Sequence, residues 1–425
     1  MSQNMTKKVF YILWIPFLLA IAGCFGTEEG EPELMPERVV AYALYPNDVA
    51  ANDSAASYVA NGMQLLVHPK VSYSLSFEKD TAFVEYPTLQ LFRLGSKIDD
   101  NKVKAKLVRA IKPREEKGRL VYDFRCEENA QNVWVSTLVL DGKYYKGTTR
   151  RPILEANGPY SDTLSLNLIV TGRVDFYEDG MDVNRFAKLL LENFRKYYTS
   201  IVIDTLYVRY AHEHPTLGSK YSADVHWIAG RSSDDFFVRE LGGWPEPKLK
   251  TALDIVLVHR IEIDWVLGYS LMYSGNLYGG YGSTVVIGAY NKTTSGEAGL
   301  TSKSMVSTAI HETGHFLGLR HTTSTGADFN VDGDFSNFED GFTDTPYCEG
   351  LLNSPGLLKK HGRTVTDFEL PLAHISYAST ETMFDVTKCP DSRNMMFPAV
   401  NDDGMDGFSA QQLAHVRKNL MVFPH

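Results

Sequence analysis

Positive charge is in short supply in this 425-residue chain, where 42 lysines and arginines stand against 52 aspartates and glutamates for a formal net charge of −10. A protein that neutralises phosphates needs the opposite balance, so nucleic acid is excluded as the expected partner. Cysteine is scarcer, with 4 residues, so covalent cross-links contribute little to the framework. Long apolar runs are missing as well: the run from Val9 to Ala22 is too short for a comfortable membrane span. Core-forming residues are not lacking. At 44 % hydrophobic the chain is not a disordered one, and its length suffices for two or more domains.

Lys7 and Lys8 precede the short apolar run, the pattern of an export signal. Its end, Ile21-Ala22-Gly23-Cys24, resembles the bacterial lipobox. That resemblance implies removal of residues 1–23 as a signal peptide, lipidation of the Cys24 thiol, and a lipid-anchored protein of the bacterial cell envelope, on the outer membrane or cell surface. Residues 24–38, rich in Glu, Gly and Pro and without periodicity, read as a solvated tether between membrane and folded protein.

The chemistry is concentrated in His311-Glu312-Thr313-Gly314-His315-Phe316-Leu317-Gly318-Leu319-Arg320-His321. On a helix, residues four apart share a face, so His311 and His315 can aim their rings at one ion. Gly318 can take the left-handed conformation that ends a helix, and the chain then returns to present His321 as a third ligand. Three neutral imidazoles suit zinc with one coordination position left for water. Glu312, beside the first histidine, reads as the general base toward that water.

This string resembles that of the metzincin zinc peptidases, which also require a downstream Met-turn. Asn394-Met395-Met396-Phe397-Pro398 offers one, with Met396 as an apolar floor to the site rather than a ligand. Asp344-Thr345-Pro346, Cys348, Cys389 and the turn together look like the pappalysin branch, and Thr322 after the third histidine is compatible with it. The resemblance spans roughly residues 160 to 425. One position departs from it: Pro398 stands where many metzincins carry a tyrosine, so stabilisation of the oxyanion is expected to fall mainly on the metal. Within the loop region of the presumed protease, Cys348 and Cys389 are expected to form a disulfide. Cys126 is then odd, and reads either as a buried free thiol or as a thiolate that blocks the open zinc position.

The pattern along the chain has two parts. Residues 39–161 alternate in short strands; Val133, Val135, Thr137 and Val139 interleave with Trp134, Ser136, Leu138 and Leu140, and Asp141-Gly142 offers a tight hairpin turn. A β-rich, sandwich-like N-terminal domain is expected there, as propeptide, spacer or binding module. Residues 162–425 change period. Leu164 to Val170 read as a strand, Asp182 caps a helix bearing Phe186, Leu189, Leu190 and Tyr197, and strands return at Ile201 to Tyr210 and Asp254 to Val258. The expected fold is an α/β catalytic domain of metzincin type, with a mixed sheet, an active-site helix from Thr301 or Ser302 and a C-terminal helical subdomain. The buried stripe of that helix should be Val306, Ile310 and Leu317. Ser283 to Gly288 read as a strand, and the resemblance implies that it borders the cleft, where an edge can bind extended peptide. Ser409 to Gln412 match a capping box that opens a final helix, with Leu413, Val416 and Leu420 toward the core. His415 reads as structural, and His212, His214 and His226 receive no role.

A second metal signal follows His321. Asp328, Asn330, Asp332, Asp334 and Glu339 fit the spacing of a twelve-residue calcium loop, with Gly333 at the sharp turn. The flanks are not helical, so a calcium-stabilised loop is expected rather than an EF-hand. The functional expectation is a zinc endopeptidase acting on protein or peptide, with zinc and calcium as cofactors. The competing class is a cell-surface binding protein or adhesin whose metal domain is a scaffold, and Glu312 argues against it.

Overall fold

The computed structural model of the protein describes residues 10–11, 58–59, 63–79, 85–99, 102–128, 132–140, 143–144, 153–230, 240–263, 266–270, 277, 284–322, 340, 342–346, 389–400, 405–423 and 425. Cys24, the tether, the 328–339 loop and Cys348 lie outside these residues.

Phe10–Tyr11 pairs antiparallel with Ala399–Val400, and two larger antiparallel sheets follow. One has six strands, running Lys143–Tyr144, Asn132–Leu140, Thr88–Asp99, Lys102–Ile111 and Tyr58–Val59, with Met63–Val67 also on Asn132–Leu140. The other has four: Ile153–Asn157, Ser72–Glu78, Arg119–Arg125 and Arg114–Glu116. Period-two burial explains their facing. Val71, Tyr73, Leu75 and Phe77 are buried while the serines between them are half-exposed. Tyr73 stacks on Phe124 at 5.3 Å between centroids, and Phe124 meets Trp134 of the other sheet at 6.1 Å. Leu140 pairs with Lys143, as a two-residue turn at Asp141-Gly142 requires. Cys126 is a free thiol with no exposed surface in this core, so the buried reading replaces the one that placed it at the metal. Burial is also the main cause raising its pKa.

A mixed seven-stranded sheet follows: Ile228–Ala229 pairs with Leu253–Ile261 and Gly296–Gly299 with Thr284–Thr293, beside a main path in the order Val202–Tyr210, Thr163–Val170, Leu253–Ile261, Thr284–Thr293 and Gly268–Tyr269. The first four of this path are parallel and the last is antiparallel. Helix Val183–Tyr197 makes the crossover between the first two parallel strands, and the Asp182 side chain accepts from Arg185 N at its start. Leu253–Ile261 is covered on both faces, so burial is nearly continuous along it and its centre, Ile255 to Val258, is an unbroken apolar run rather than an alternating one. Residues 284–288 form a strand as expected, but not one at the edge of the sheet. Among the described residues Thr284–Thr293 is internal to the sheet, and its outer side is shared by Gly268–Tyr269, antiparallel beside residues 286–287, and Gly296–Gly299, antiparallel beside residues 290–293. Two residues are too short to show a period, which hid Gly268–Tyr269 from a reading of pattern.

Helix Ser302–Phe316 packs beneath the sheet, capped by the Thr301 side chain accepting from Ser304 N. Val306, Ile310 and Leu317 are buried as expected, and so is almost every other residue of the helix. The last helix, Ala410–Leu420, opens with the Ser409/Gln412 capping box, both hydrogen bonds present. Val416 and Leu420 are buried, while Leu413 is half-buried. This helix joins the two halves of the molecule. Lys418 Nζ lies 2.8 Å from Glu155, and just past the helix the Phe423 ring packs between His68 and Phe316, each at 5.6 Å.

Candidate metal centre

The helix ends by geometry rather than by fraying. Gly318, at φ 89°, donates its N–H to His315 O at 2.9 Å, and Leu319 N donates to Gly314 O at 2.8 Å. This is the paired hydrogen-bond pattern of a Schellman motif, and it needs a residue at positive φ. The chain is thereby reversed within three residues, which brings His321 back over the helix it has just left.

Three imidazoles converge as a result. His311 Nε2 and His315 Nε2 each lie 3.2 Å from His321 Nε2, and all three rings are buried. Tetrahedral nitrogens around a zinc ion, at about 2.0–2.1 Å from it, are separated from one another by about 3.3 Å. The proton positions favour the same conclusion. His311 Nδ1 is 2.7 Å from Met395 O and His315 Nδ1 is 2.8 Å from Leu319 O. A carbonyl only accepts, so each Nδ1 carries the ring proton and each Nε2 presents a lone pair. Two lone pairs facing a third nitrogen at this spacing suit a cation such as zinc. Burial pushes the His311 pKa down to about 3, aided by His321 and opposed by the Met395 carbonyl, so its ring is neutral as a ligand must be. Among the described residues this is the group of His, Cys, Asp or Glu side chains arranged to hold a metal ion such as zinc.

The supporting bonds come from distant segments. Tyr198 Oη donates to Ile310 O at 2.6 Å, and Asn419 Nδ2 donates to Leu317 O at 2.7 Å. The turn at residues 394–397 lies against the helix: Met396 N donates to Asn394 Oδ1 at 2.8 Å, and Thr322 N, next to the third histidine, donates to Met396 O at 3.1 Å. Met396 has no exposed surface, and its sulfur sits against Gly314. Glu312 is fully buried. Ser270, just past the Gly268–Tyr269 strand, donates its hydroxyl to Glu312 O at 2.7 Å, and the same oxygen is 3.4 Å from Glu312 Oε2.

No family model matches the sequence, and no curated protein matches it. Among solved structures, the M60 catalytic domain from Clostridium perfringens ZmpC, in complex with the sialyl T antigen, is 9 % identical with a TM-score of 0.12. That match covers 66 % of this chain and 52 % of that one, so it spans about half of the M60 domain. An acetyl xylan esterase, Est2A, from the rumen bacterium Butyrivibrio proteoclasticus is 13 % identical with a TM-score of 0.10, over 66 % of this chain and 73 % of that one. At these values neither likeness carries an argument, and the site's own geometry carries it instead.

Of the residues singled out from sequence, the structure brings together His311, His315 and His321, with Glu312 buried on the same helix against Ser270 and Met396 against Gly314. Asp328, Asn330, Asp332, Asp334 and Glu339 lie outside the described residues, as do Cys24 and Cys348. Cys389 is disulfide-bonded. His415 is buried, bonded to Asn419 at 2.9 Å, and its pKa is pushed down to about 4, chiefly by burial. His214 Nδ1 accepts from Leu217 N at 3.1 Å and holds a turn. His226 stacks on His259 at 3.9 Å and bonds to Asp175 at 2.8 Å, away from the histidine triad. Tyr198, Ser270 and Asn419 were not legible as site residues. Only Asn394, ahead of a Met-Met-Phe-Pro turn, carried a local signal.

Proposed function

We propose that the protein is a zinc-dependent endopeptidase of metzincin type, most like the pappalysin branch. The observation that carries this reading is the convergence of the Nε2 atoms of His311, His315 and His321, with two Nδ1 protons held by carbonyls. Zinc bound there supplies Lewis-acid polarisation of a carbonyl and lowers the pKa of water. Glu312 has the role of general base: a carboxylate oxygen takes the proton of the attacking water and returns it to the leaving amine. Ser270 anchors the backbone of Glu312, which limits where that carboxylate can swing. Burial of Glu312 excludes bulk water and strengthens each of these interactions. The Gly268–Tyr269 outer strand offers backbone groups to an extended chain, which suits protein or peptide as substrate.

The further parts of the reading rest on sequence. The lipobox-like Ile21-Ala22-Gly23-Cys24 supports a lipid anchor at Cys24 and a place in the bacterial cell envelope, and the 328–339 loop supports calcium as a second ion. A buried carboxylate beside the triad favours an enzyme over an adhesin, since a scaffold has no use for a desolvated base.

Replacing the base separates metal binding from chemistry. Glu312→Gln is expected to retain one zinc per chain while its rate on a denatured protein substrate falls by about two to four orders of magnitude. A Glu312→Gln protein that cleaves at the wild-type rate would refute the assignment.

A further inference from the structure

Gln412 is a fully buried amide in the first turn of the last helix. In a capping box the residue at this position reaches back to the N–H of the capping residue, and Gln412 Oε1 does so, accepting from Ser409 N at 2.8 Å. The same oxygen accepts a second hydrogen bond, from Asn394 Nδ2 at 3.0 Å. Asn394 is thus held at both ends of its side chain, since its Oδ1 takes the N–H of Met396. Between these two residues stands Met395, whose carbonyl receives the Nδ1 proton of His311 and whose N–H is fixed on Gly407 O at 2.8 Å. A continuous chain of hydrogen bonds therefore runs from the helix cap through the Asn394 side chain to the turn that orients a metal histidine.

We infer that Gln412 is a positioning residue for the metal centre, acting through Asn394 on the turn that supplies the Met395 carbonyl. The inference rests on the reading of the three histidines as a metal site. Helix capping alone would be served by the bond to Ser409, and the bond to Asn394 adds nothing to it. Its consequence falls on the angle at which Met395 O meets His311. Partners of this kind alter metal affinity by about 10–100-fold when removed. The segment at 340–346 packs on the same cap, with Asp344 accepting from Ser409 Oγ at 2.7 Å and Gln411 N at 2.9 Å. A loss of capping can therefore be produced separately from a loss of the Asn394 bond.

The test uses the whole protein and zinc affinity measured by competition with a chromophoric chelator, alongside the melting temperature. Gln412→Ala is expected to bind zinc about 10–100-fold more weakly. Ser409→Ala removes the other half of the capping box and should lower the melting temperature comparably, with zinc affinity kept within about twofold of wild type. Asn394→Ala leaves the cap intact and should weaken zinc as Gln412→Ala does, and the double variant should lose little more than either single one. Unchanged affinity in Gln412→Ala, an equal loss in Ser409→Ala, or additive losses in the double variant each overturn the proposal. If Gln412→Ala does not fold, Asn394→Ala gives the same readout. A wild-type protein that takes up no zinc instead defeats the metal-site reading itself, and the role of Gln412 with it.

Discussion

The sulfur of Met396 occupies the space that a side chain on residue 314 would need: a β-carbon built on Gly314 falls 2.4 Å from Met396 Sδ. The last turn of the histidine-bearing helix and a turn far along the chain are thus fitted to each other by the absence of one carbon. Met396 is fully buried, so the sulfur can make room only by a rotamer change inside a packed interior.

Gly314→Ala is accordingly expected to push the turn away from the helix. Alanine gains up to about 1 kcal/mol in helix propensity over glycine, while overpacking costs about 1–3 kcal/mol, so the net loss of stability is small. Zinc affinity should suffer more, because Met395 O moves with the turn that holds His311. Combining Gly314→Ala with Met396→Ala removes the clash and should recover part of the affinity. Chelator competition and thermal melts on the four proteins of this cycle check it, and independent losses would show that the contact is incidental.

Zinc loading should stabilise the folded state, because the buried triad is assembled only there. The melting temperature should rise with added zinc and fall in a strong chelator, with His311→Ala insensitive to both. A melting temperature indifferent to zinc in the wild-type protein contradicts a structural coupling between ion and fold.

Asp254 makes a pH-dependent contribution of its own. Its carboxyl is fully buried, accepting from Gly243 N at 2.6 Å and Asn167 Nδ2 at 2.7 Å, and burial pushes its pKa up to about 7 despite these bonds. The folded state therefore holds this proton more tightly than the unfolded chain does. Its contribution is fullest below about pH 4 and is lost as the pH rises toward 7, a span worth about 4 kcal/mol at 1.36 kcal/mol per unit. Asp254→Asn should flatten that slope. Asn167 Oδ1 is buried without a hydrogen-bond partner, so a flipped Asn167 can accept from the new amide. Stability curves at pH 5 and pH 8 test this, and an unchanged difference between the two pH values rules it out.

Calcium bound at residues 328–339 would order the segment between His321 and Asp344. A calcium-selective chelator, with zinc retained, should then lower both the melting temperature and the peptidase rate. No change in either disposes of the calcium loop.

The thiols give a count. Cys389 is disulfide-bonded and Cys126 is free but buried. Denatured, unreduced protein lacking the leader and with Cys24 lipidated should expose one labelled thiol, and reduction should raise this to three. Labelling of both Cys348 and Cys389 without reductant excludes their pairing.

Much of the site was legible locally because helical geometry is local. The interval from His311 to His315 sets two rings on one face, Gly318 announces the reversal that returns His321, and the caps at Asp182, Thr301 and Ser409 mark where helices begin. The strands at 163–170, 202–210 and 253–261 were likewise readable, since each is long enough to show its pattern. The outer strand at Gly268–Tyr269 was not legible, because two residues leave no periodic trace.

Sequence spacing alone determined which side chains can meet an ion, since eleven residues of one helix and its turn contain all three rings. Only tertiary packing decided how those rings are protonated and aimed. The carbonyl that orients His311 belongs to Met395, 84 residues away; the hydroxyl on the Glu312 backbone belongs to Ser270, 42 residues before it. Contacts of that separation are set by the shared burial of segments that carry no record of one another in their local pattern.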